Sequence, residues 1–221
     1  MTNKVILFGA YSQFADLSDF YIKQDTDYEI VGYTMDEDYI KETSWHDKPV
    51  VPFETVEEHF SPYDHKMFAF ISYKKVNKIR EQKYREGKKK GYDFISYISP
   101  KATYYNTPVG ENCFIFEDNT IQPFTEIGNN CILWSGNHIG HHTVIKDHNF
   151  LTSHVVVSGS VVVNEKSFIG VNATLRDNIT IGKEVVIGAG SVVLKDVEDF
   201  AVVTPGGTKA IPKKSYELRG I

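Results

Sequence analysis

Residues 139–169 have the sequence IGHHTVIKDHNFLTSHVVVSGSVVVNEKSFI, in which an aliphatic residue recurs at every sixth position. The spacing extends in both directions, and all fifteen of its positions are occupied by Val, Ile or Leu: Val109, Ile115, Ile121, Ile127, Leu133, Ile139, Ile145, Leu151, Val157, Val163, Ile169, Leu175, Ile181, Ile187 and Val193. If these three residue types make up about a quarter of all residues, fifteen successive matches have odds on the order of one in a billion. The period therefore indicates a repeating structure.

A six-residue period excludes an α-helix and is too regular for an antiparallel sandwich, so it predicts a coil of short parallel strands with three hexads in each coil. The residue four places after each aliphatic should also point inward, and none of these residues is charged, aromatic or longer than Ile. Grouping every third hexad stacks Cys113 on Cys131 and Asn119 on Asn137. We interpret the two cysteines as buried core residues, not as metal ligands or a redox pair.

Six of the residues that directly follow an aliphatic position are glycine, which we expect where the chain bends at the corners of a prism. They are Gly110, Gly128, Gly140, Gly170, Gly182 and Gly188.

Before Pro100 the chain alternates short apolar runs with amphipathic stretches, which is typical of a layered α/β domain. We predict strands over residues 4–8, 29–33, 67–71 and 93–98, and helices over residues 12–23, 56–59 and 74–90. Three lysines, Lys88 to Lys90, precede Gly91 and indicate a basic last helical turn followed by a C-terminal glycine.

The composition excludes several classes of protein. With 221 residues, 41% hydrophobic and 24% charged, the chain is neither disordered nor membrane-spanning. A net charge of −5 disfavours binding to nucleic acid or to an anionic membrane. Two cysteines and an apolar run of only four residues near the N-terminus, too short for a secretory signal, predict a cytoplasmic location.

The repeat and its glycines resemble those of the hexapeptide-repeat acyltransferases, whose fold is a left-handed parallel β-helix. The whole chain is similar to one branch of that family, the nucleotide-sugar N-acetyltransferases of bacterial glycan synthesis, such as the bacillosamine and perosamine acetyltransferases. The resemblance implies a homotrimer with three parts in each chain: a Rossmann-like nucleotide-sugar-binding domain over residues 1–98, a β-helix catalytic domain over 99–200 and a tail over 201–221.

The resemblance also implies where acyl transfer takes place. Five of the eight histidines lie within residues 138–154, and residues 140–147 are similar to the family's catalytic hexad. In this alignment His141 is the general base, and the backbone N–H of Gly159, one coil later, contacts the thioester carbonyl. Such a reaction needs a base and an oxyanion donor, but no metal.

His142 stands where the family usually has an acidic residue that orients the base. A carboxylate across the trimer interface, from Asp118 or Glu126, is one substitute, and a backbone carbonyl that fixes the tautomer is another. His142 itself has either a role in the site or none. His138 lines the acceptor cleft or lies on the surface.

His142, His148 and His154 are spaced as repeats, so they lie at three corners of one subunit and cannot converge on one ion. A metal would have to bind between subunits, as in the carbonic anhydrases that share this β-helix. We predict no metal.

Acetyl-CoA is expected in the groove between adjacent prisms, where the resemblance assigns contacts to Gly159, Val171 and Ala189. Small residues there are equally consistent with tight corners. Lys209, in the tail, is a candidate contact for a CoA phosphate.

In the N-terminal half, Gly9 and Ser12 lie where a strand runs into a helix whose N-terminus would face a phosphate. Asp36 matches the acidic position that approaches the nucleotide, and Tyr73 and Lys74 are expected to face the same ligand. A plain strand-turn-helix and a solvated carboxylate are the alternatives.

The leading prediction is therefore an acetyl-CoA-dependent N-acetyltransferase that acts on the amino group of a nucleotide-linked amino-deoxysugar. A sugar O-acetyltransferase would use the same base. From a different class, a trimer without catalytic activity would bind a nucleotide sugar as a scaffold.

Overall fold

The computed structural model describes residues 3–206, which form an N-terminal α/β region packed against a parallel β-helix. Five strands form the N-terminal sheet in the order β3-β4-β2-β1-β5: β1 (Lys4–Phe8), β2 (Glu29–Met35), β3 (Ser44–Trp45), β4 (Lys48–Pro52) and β5 (Lys66–Ala69). All neighbouring pairs are parallel except β3 with β4. Three helices accompany the sheet: α1 (Gln13–Asp25), α2 (Val56–His59) and α3 (Lys78–Lys89).

Most of the elements predicted before Pro100 are present, with three corrections. The segment 93–98 does not add a strand to the N-terminal sheet, because only Phe94 bridges to that sheet and Tyr97–Ile98 begins the β-helix. Strand β4 was not predicted, because it contains two prolines and proline argues against a strand. Helix α3 begins four residues later than predicted, because residues 75–77 have φ values of 50–63°. Gly91 ends α3 with a φ of +90°, as predicted for a C-terminal glycine.

The β-helix is built from two-residue strands that form three parallel sheets. Sheet 1 contains β10 (Glu126–Ile127), β13 (Val144–Ile145), β16 (Val162–Val163) and β19 (Thr180–Ile181). Sheet 2 contains β6 (Tyr97–Ile98), β8 (Phe114–Ile115), β11 (Ile132–Leu133), β14 (Phe150–Leu151), β17 (Phe168–Ile169), β20 (Val186–Ile187) and β22 (Val202–Val203). Sheet 3 contains β7 (Thr103–Tyr104), β9 (Thr120–Ile121), β12 (His138–Ile139), β15 (Val156–Val157), β18 (Thr174–Leu175) and β21 (Val192–Val193).

The period-six residues form the core of this β-helix. Every predicted aliphatic position is buried except Val109, which is half-buried, and the positions four residues later are buried as far as Ser191. Cys113 and Cys131 are free, fully buried thiols, and burial raises the pKa of Cys131. Paired strands from β8 to β21 are offset by 18 residues, as in Phe114 with Ile132. The parallel sheets therefore fit the β-helix that the period predicts.

The six glycines lie at the corners of the prism, as predicted, but they are not the residues that carry the left-handed backbone of each corner. The six glycines after an aliphatic do not have positive φ; instead a Cβ at Gly140 would lie 2.5 Å from the backbone of Ser158 in the next coil. Left-handed backbone occurs two residues later, at every sixth position. Eleven of these fifteen residues are Asn, Asp, His or Gly, the types that tolerate this conformation best: Asn106, Asn112, Asp118, Asn130, Gly136, His142, His148, His154, Asn172, Asn178 and Gly190.

The six-residue spacing of three histidines therefore has a conformational cause, since each occupies a left-handed corner. The corners are not equivalent: His142 and His154 are exposed, whereas His148 is buried. Among residues 3–206 no group of three His, Cys, Asp or Glu side chains could hold a metal ion.

The N-terminal region packs on the outer face of sheet 2. Phe114, Phe116 and Phe150 share an apolar core with Phe68 and Phe70, and the Phe70 and Phe114 rings are 4.5 Å apart between centroids. This contact holds the two parts of the chain together and leaves the outer faces of sheets 1 and 3 free of the N-terminal region.

A buried arginine joins α3 to the β-helix. Arg80 has no exposed surface, and its guanidinium donates to the backbone carbonyls of Asn130, His148 and Asn149 and to Oδ1 of Asn77. Burial lowers its pKa to about 10, so it stays protonated at neutral pH. The helix is therefore fixed to three carbonyls of the β-helix by one side chain.

A ladder of polar corner residues lies beside Arg80. Asn112 donates to Asn130, whose amide lies 2.8 Å from His148 Nδ1. Burial lowers the pKa of His148 to about 4, although Glu81, 3.9 Å from Nε2, opposes the shift. His148 is thus a neutral structural residue at neutral pH.

No helix within residues 3–206 combines the length and the apolar character that crossing a membrane requires.

Candidate active site

Two adjacent histidines lie at the corner between sheets 3 and 1, here called the catalytic corner (residues 140–143 and 158–161) because the predicted general base, His141, lies on it. Both side chains are exposed, and Nδ1 of His141 lies 3.0 Å from Nδ1 of His142. The two rings are nearly perpendicular, at 85°. One ring therefore donates a hydrogen bond to the other.

The backbone holds His141 in place. Its N–H donates to Oε1 of Gln122 in the preceding coil, and its carbonyl accepts from the N–H of Ser160 in the next. His142 has a φ of 57°, and its ring packs against that of Phe124, one coil earlier, with 4.8 Å between centroids and 33° between ring planes. The corner conformation and its neighbours in both directions thus determine where the two rings lie.

Gly159 lies directly against the His141 ring. A Cβ at Gly159 would be 2.6 Å from Cε1 and 2.8 Å from Nε2 of His141, closer than real contacts allow. Asn129 occupies the equivalent position at another corner of the prism, and its backbone N–H donates to the side chain of Asp147. Within residues 3–206 the N–H of Gly159 has no hydrogen-bond acceptor. A ring nitrogen and a free backbone donor therefore lie side by side, as the sequence predicts.

We expect Gly159→Ala to displace the His141 ring without unfolding the chain, because the new methyl group meets the end of an exposed side chain. If the ring nitrogen acts on a bound substrate, the displacement should lower kcat by about 10- to 100-fold, since misplacement by about 1 Å has costs of that order. The measurement is steady-state kinetics beside a thermal unfolding curve. Ser160→Ala, at the adjacent corner position, is the control, and equal activity in both variants would contradict the expectation.

The other predicted partners of His141 are not brought to it within one chain. Asp118 and Glu126 are exposed, and neither forms an ion pair with a histidine among residues 3–206. His138 is half-buried in β12, where it pairs with Thr120 and Val156. Roles for these three residues remain predictions.

The two remaining residues predicted to bind CoA lie at a different edge of the prism. Val171 and Ala189 follow β17 and β20, so they occupy the corner between sheets 2 and 3, one coil apart. Both are exposed, and the carbonyl of Val171 accepts from the N–H of Gly190. A single chain therefore separates them from the catalytic corner. Lys209 lies outside the described residues.

A cleft of about 930 Å³ opens at the carboxyl ends of β1, β2 and β5. Its lining includes all five predicted nucleotide-sugar contacts from the N-terminal half, Gly9, Ser12, Asp36, Tyr73 and Lys74. Ser12 caps α1, since its Oγ accepts from the N–H of Ala15 at 3.2 Å. The cleft thus combines the edge of a parallel sheet with a helix N-terminus, an arrangement that suits an anion.

Four lysines also line the cleft: Lys41, Lys74, Lys75 and Lys83. Lys83, on α3, lies 2.6 Å from Oδ1 of Asp36 and 2.9 Å from Glu86. Burial alone would lower the pKa of Lys83, but these two carboxylates outweigh it and raise the pKa. Asp36 is consequently paired, while Lys41, Lys74 and Lys75 are exposed toward solvent. The cleft therefore carries a surplus of positive charge.

A left-handed turn places Tyr73 and Lys74 at the cleft. Lys75, Val76 and Asn77 all have φ near +55°, which costs about 1–2 kcal/mol per residue. Asn77 compensates, because its buried amide donates to the carbonyls of Lys166 and Ser167. The Tyr73 ring packs against Phe168 of sheet 2, with 4.7 Å between centroids. The turn is thus anchored to the β-helix at both ends.

Sequence reasoning missed Lys83, Gln122 and Asn77. Lys83 lies in a run of basic helix residues that resembles a solvated face, and its contact with Asp36 spans two elements. Gln122 is an ordinary hexad residue. An asparagine just before a helix was a usable signal for Asn77, since asparagine tolerates left-handed backbone.

Comparison with known proteins agrees with this architecture. A family model described as bacterial transferase hexapeptide (six repeats) matches residues 106–141 and 160–195, which confirms that the chain carries hexapeptide repeats of this kind. A comparison with curated protein sequences returned no match.

Several solved structures share the fold over nearly the whole chain. A His-to-Asn variant of perosamine N-acetyltransferase from Caulobacter crescentus, in complex with CoA and GDP-perosamine, is 21% identical with a TM-score of 0.78, covering 91% of this chain and 93% of that one. WeeI from Acinetobacter baumannii AYE is 18% identical with a TM-score of 0.71, covering 90% and 94%. The acetyltransferase domain of PglB from Neisseria gonorrhoeae FA1090, in complex with acetyl coenzyme A, is 20% identical with a TM-score of 0.60, covering 92% and 97%.

Proposed function

We propose that this protein is an acetyl-CoA-dependent N-acetyltransferase that acts on the amino group of a nucleotide-linked amino sugar. The observation that carries the proposal is the catalytic corner, where the His141 ring lies against Gly159, whose backbone N–H has no acceptor within residues 3–206, on a hexapeptide β-helix. The similar folds of acetyltransferases described with CoA, acetyl coenzyme A or GDP-perosamine support the same assignment.

In the proposed reaction the sugar amine attacks the thioester carbonyl directly. Nε2 of His141 takes the proton that the nitrogen loses, and the Gly159 N–H donates to the oxyanion of the tetrahedral intermediate. The C–S bond then breaks, the thiolate of CoA leaves and takes up a proton, and the amide product remains. Holding both substrates in line supplies a large part of the rate.

The N-terminal cleft is the proposed nucleotide-sugar site of a Rossmann-like domain that ends before strand β6 (Tyr97–Ile98), and the proposed catalytic β-helix extends from that strand to β22 (Val202–Val203), slightly beyond the predicted bounds of 99–200 at both ends. The diphosphate would lie at the N-terminus of α1, near Gly9 and Ser12, and Lys74 would contact it. A charged, phosphate-bearing ligand matches the surplus of lysine in this cleft.

The acyl-donor residues imply that the site is shared between subunits. Val171 and Ala189 lie at one edge of the prism, whereas His141 and Gly159 lie at another. In a homotrimer with prisms side by side, the first edge of one copy meets the second edge of its neighbour and forms a groove for acetyl-CoA. Exposed apolar residues on the outer face of sheet 3, such as Val156 and Val192, suit such a contact.

The test is release of CoA thiol with acetyl-CoA and a panel of UDP-, dTDP- and GDP-linked amino sugars beside their hydroxyl counterparts. We expect turnover with an amino sugar only. Lys74→Gln should raise KM for the nucleotide sugar about tenfold, with kcat unchanged, because one charge-assisted contact to phosphate is lost.

Lys89→Gln, on the exposed end of α3, is the matched control and should leave KM unchanged. Turnover with hydroxyl acceptors would instead indicate an O-acetyltransferase. Nucleotide binding without any turnover would contradict the enzyme and favour a scaffold.

A further inference from the structure

The two rings at the catalytic corner are close enough to act as one proton acceptor. Nδ1 of His141 and Nδ1 of His142 are 3.0 Å apart. A hydrogen bond between two ring nitrogens needs one N–H and one lone pair, so the two rings cannot both carry a proton on Nδ1. Nε2 of His141 is the ring nitrogen nearer to Gly159, since a Cβ at Gly159 would lie 2.8 Å from Nε2 and 3.1 Å from Nδ1.

We propose that His141 and His142 form a dyad in which the Nδ1–H of His141 donates to Nδ1 of neutral His142, so that His142 is the positioning residue for the base. The inference rests on the proposed function for its catalytic consequence, but the tautomers themselves do not depend on it. With its proton on Nδ1, His141 presents the lone pair of Nε2 beside the Gly159 N–H. His142 then carries its own proton on Nε2.

One proton is enough to inactivate this dyad. If the proton binds Nε2 of His141, that ring is an imidazolium and is no longer a base. If the bridging proton moves to His142, the charge moves with it, but His141 still carries a proton on Nε2. Both singly protonated forms therefore lack the base, and the proton taken from the amine is shared by two rings. A second proton would place two cations about 3 Å apart, which is strongly unfavourable.

The surroundings leave His142 as the partner of His141. Phe124 packs against the His142 ring, Gly159 lies against the His141 ring, and Gln122 accepts from the backbone N–H of His141; none of these three side chains or backbone groups titrates. The histidines that form ion pairs with carboxylates within residues 3–206 are His46 and His148, not His141 or His142. A neutral imidazole thus occupies the position from which a carboxylate would otherwise orient the base.

Two substitutions of His142 should preserve the left-handed backbone of this corner. His142 has a φ of 57°, which Asn and Asp tolerate better than other residues with a side chain. In His142→Asn the amide oxygen accepts from Nδ1–H but cannot share the proton. In His142→Asp a carboxylate accepts it and stabilises the imidazolium. His142→Ala removes the acceptor altogether.

The first experiment measures kcat and KM from pH 5 to 9 for the wild type and these three variants. His142→Ala should lower kcat by about 10- to 100-fold with KM unchanged, and His142→Asn should recover part of this loss. The pKa of the acid limb should rise in the order Asn, His, Asp, with His142→Asp about one unit above the wild type. An acid limb that does not move among the variants, or wild-type kcat in His142→Ala, would overturn the dyad.

The second experiment needs no activity. Long-range ¹H–¹⁵N correlation spectra of the ¹⁵N-histidine-labelled protein, with His141→Ala and His142→Asn for assignment, report which ring nitrogen carries hydrogen. We expect the proton on Nδ1 in His141 and on Nε2 in His142 above the titration. The opposite tautomer of His141 would overturn the proposal. If the tautomers are as expected but the protein turns over none of the acceptors, the result contradicts the proposed function and still supports the dyad.

Discussion

Replacement of His141 by alanine is expected to lower kcat for acetyl transfer by about 10²- to 10⁴-fold, the usual contribution of a positioned general base. The affinity for the nucleotide sugar should not change, because the cleft is lined by the N-terminal half and does not include His141. The affinity for CoA should change little. Measurement of kcat by thiol release, beside nucleotide binding by calorimetry, separates these effects.

The variant should keep its fold, since the His141 side chain is exposed and its backbone hydrogen bonds remain. His59→Ala, which removes another exposed histidine at the end of α2, is the control and should retain wild-type kcat. A loss of less than about fivefold in His141→Ala would show that the base is not His141. An equal loss in His59→Ala would attribute the effect to general damage.

Replacement of Arg80 by methionine is expected to destabilise the protein by about 3 kcal/mol. The substitution keeps most of the side-chain volume but leaves the carbonyls of Asn130 and His148 and the amide of Asn77 without their donors. Each unsatisfied buried acceptor costs about 1–3 kcal/mol, and the relief from burying a charge offsets part of the sum. For a chain of this length the Tm should fall by roughly 6–12 °C.

Arg85→Met is the matched control on the same helix. Arg85 is exposed and, within residues 3–206, pairs only with Glu81, four residues earlier, so its loss should cost less than about 0.5 kcal/mol. Thermal and urea unfolding of both variants and the wild type make the comparison. Equal Tm values for the two variants would show that Arg80 does not fasten α3 to the β-helix. Arg80→Lys should rescue little, because an ammonium cannot reproduce the planar fork.

Much of the fold followed from sequence because its cause is local. A period-six aliphatic residue needs only its own hexad and the next coil to be buried, so the pattern predicted the buried face almost residue by residue. The corner glycines were recognised, but the sequence did not show why glycine is needed at these positions. Gly140 is needed because the next coil passes too close for a Cβ, whereas left-handed backbone falls at His142. The distance between Gly140 and the next coil is a property of the tertiary structure. The conformational preference of the residue itself therefore does not reveal it.

The candidate site was predicted in pieces. Gly9, Ser12, Asp36 and Lys74 come together because the carboxyl ends of neighbouring parallel strands meet at one edge of a sheet. The contact of His141 with Gly159 followed from their spacing of one coil. The partner of Asp36 did not follow, because Lys83 reaches it from a helix almost fifty residues away. Likewise, nothing in its hexad position marked His148 as buried, since only the packing of α3 against that corner removes it from water.

The sequence by itself determined the β-helix, its core and the corner at which His141 lies, because a repeat brings each residue to a fixed position relative to the next coil. The tertiary structure decided which corners stay open. Sheet 2 is covered from β6 to β17 because most of its outer residues there are aromatic and meet the N-terminal core, and Arg80 holds α3 over the corner of His148. His142 and His148 occupy equivalent positions of the repeat, yet His148 is buried and neutral whereas His142 is exposed beside His141. The difference arises because burial depends on which elements pack against each corner from outside.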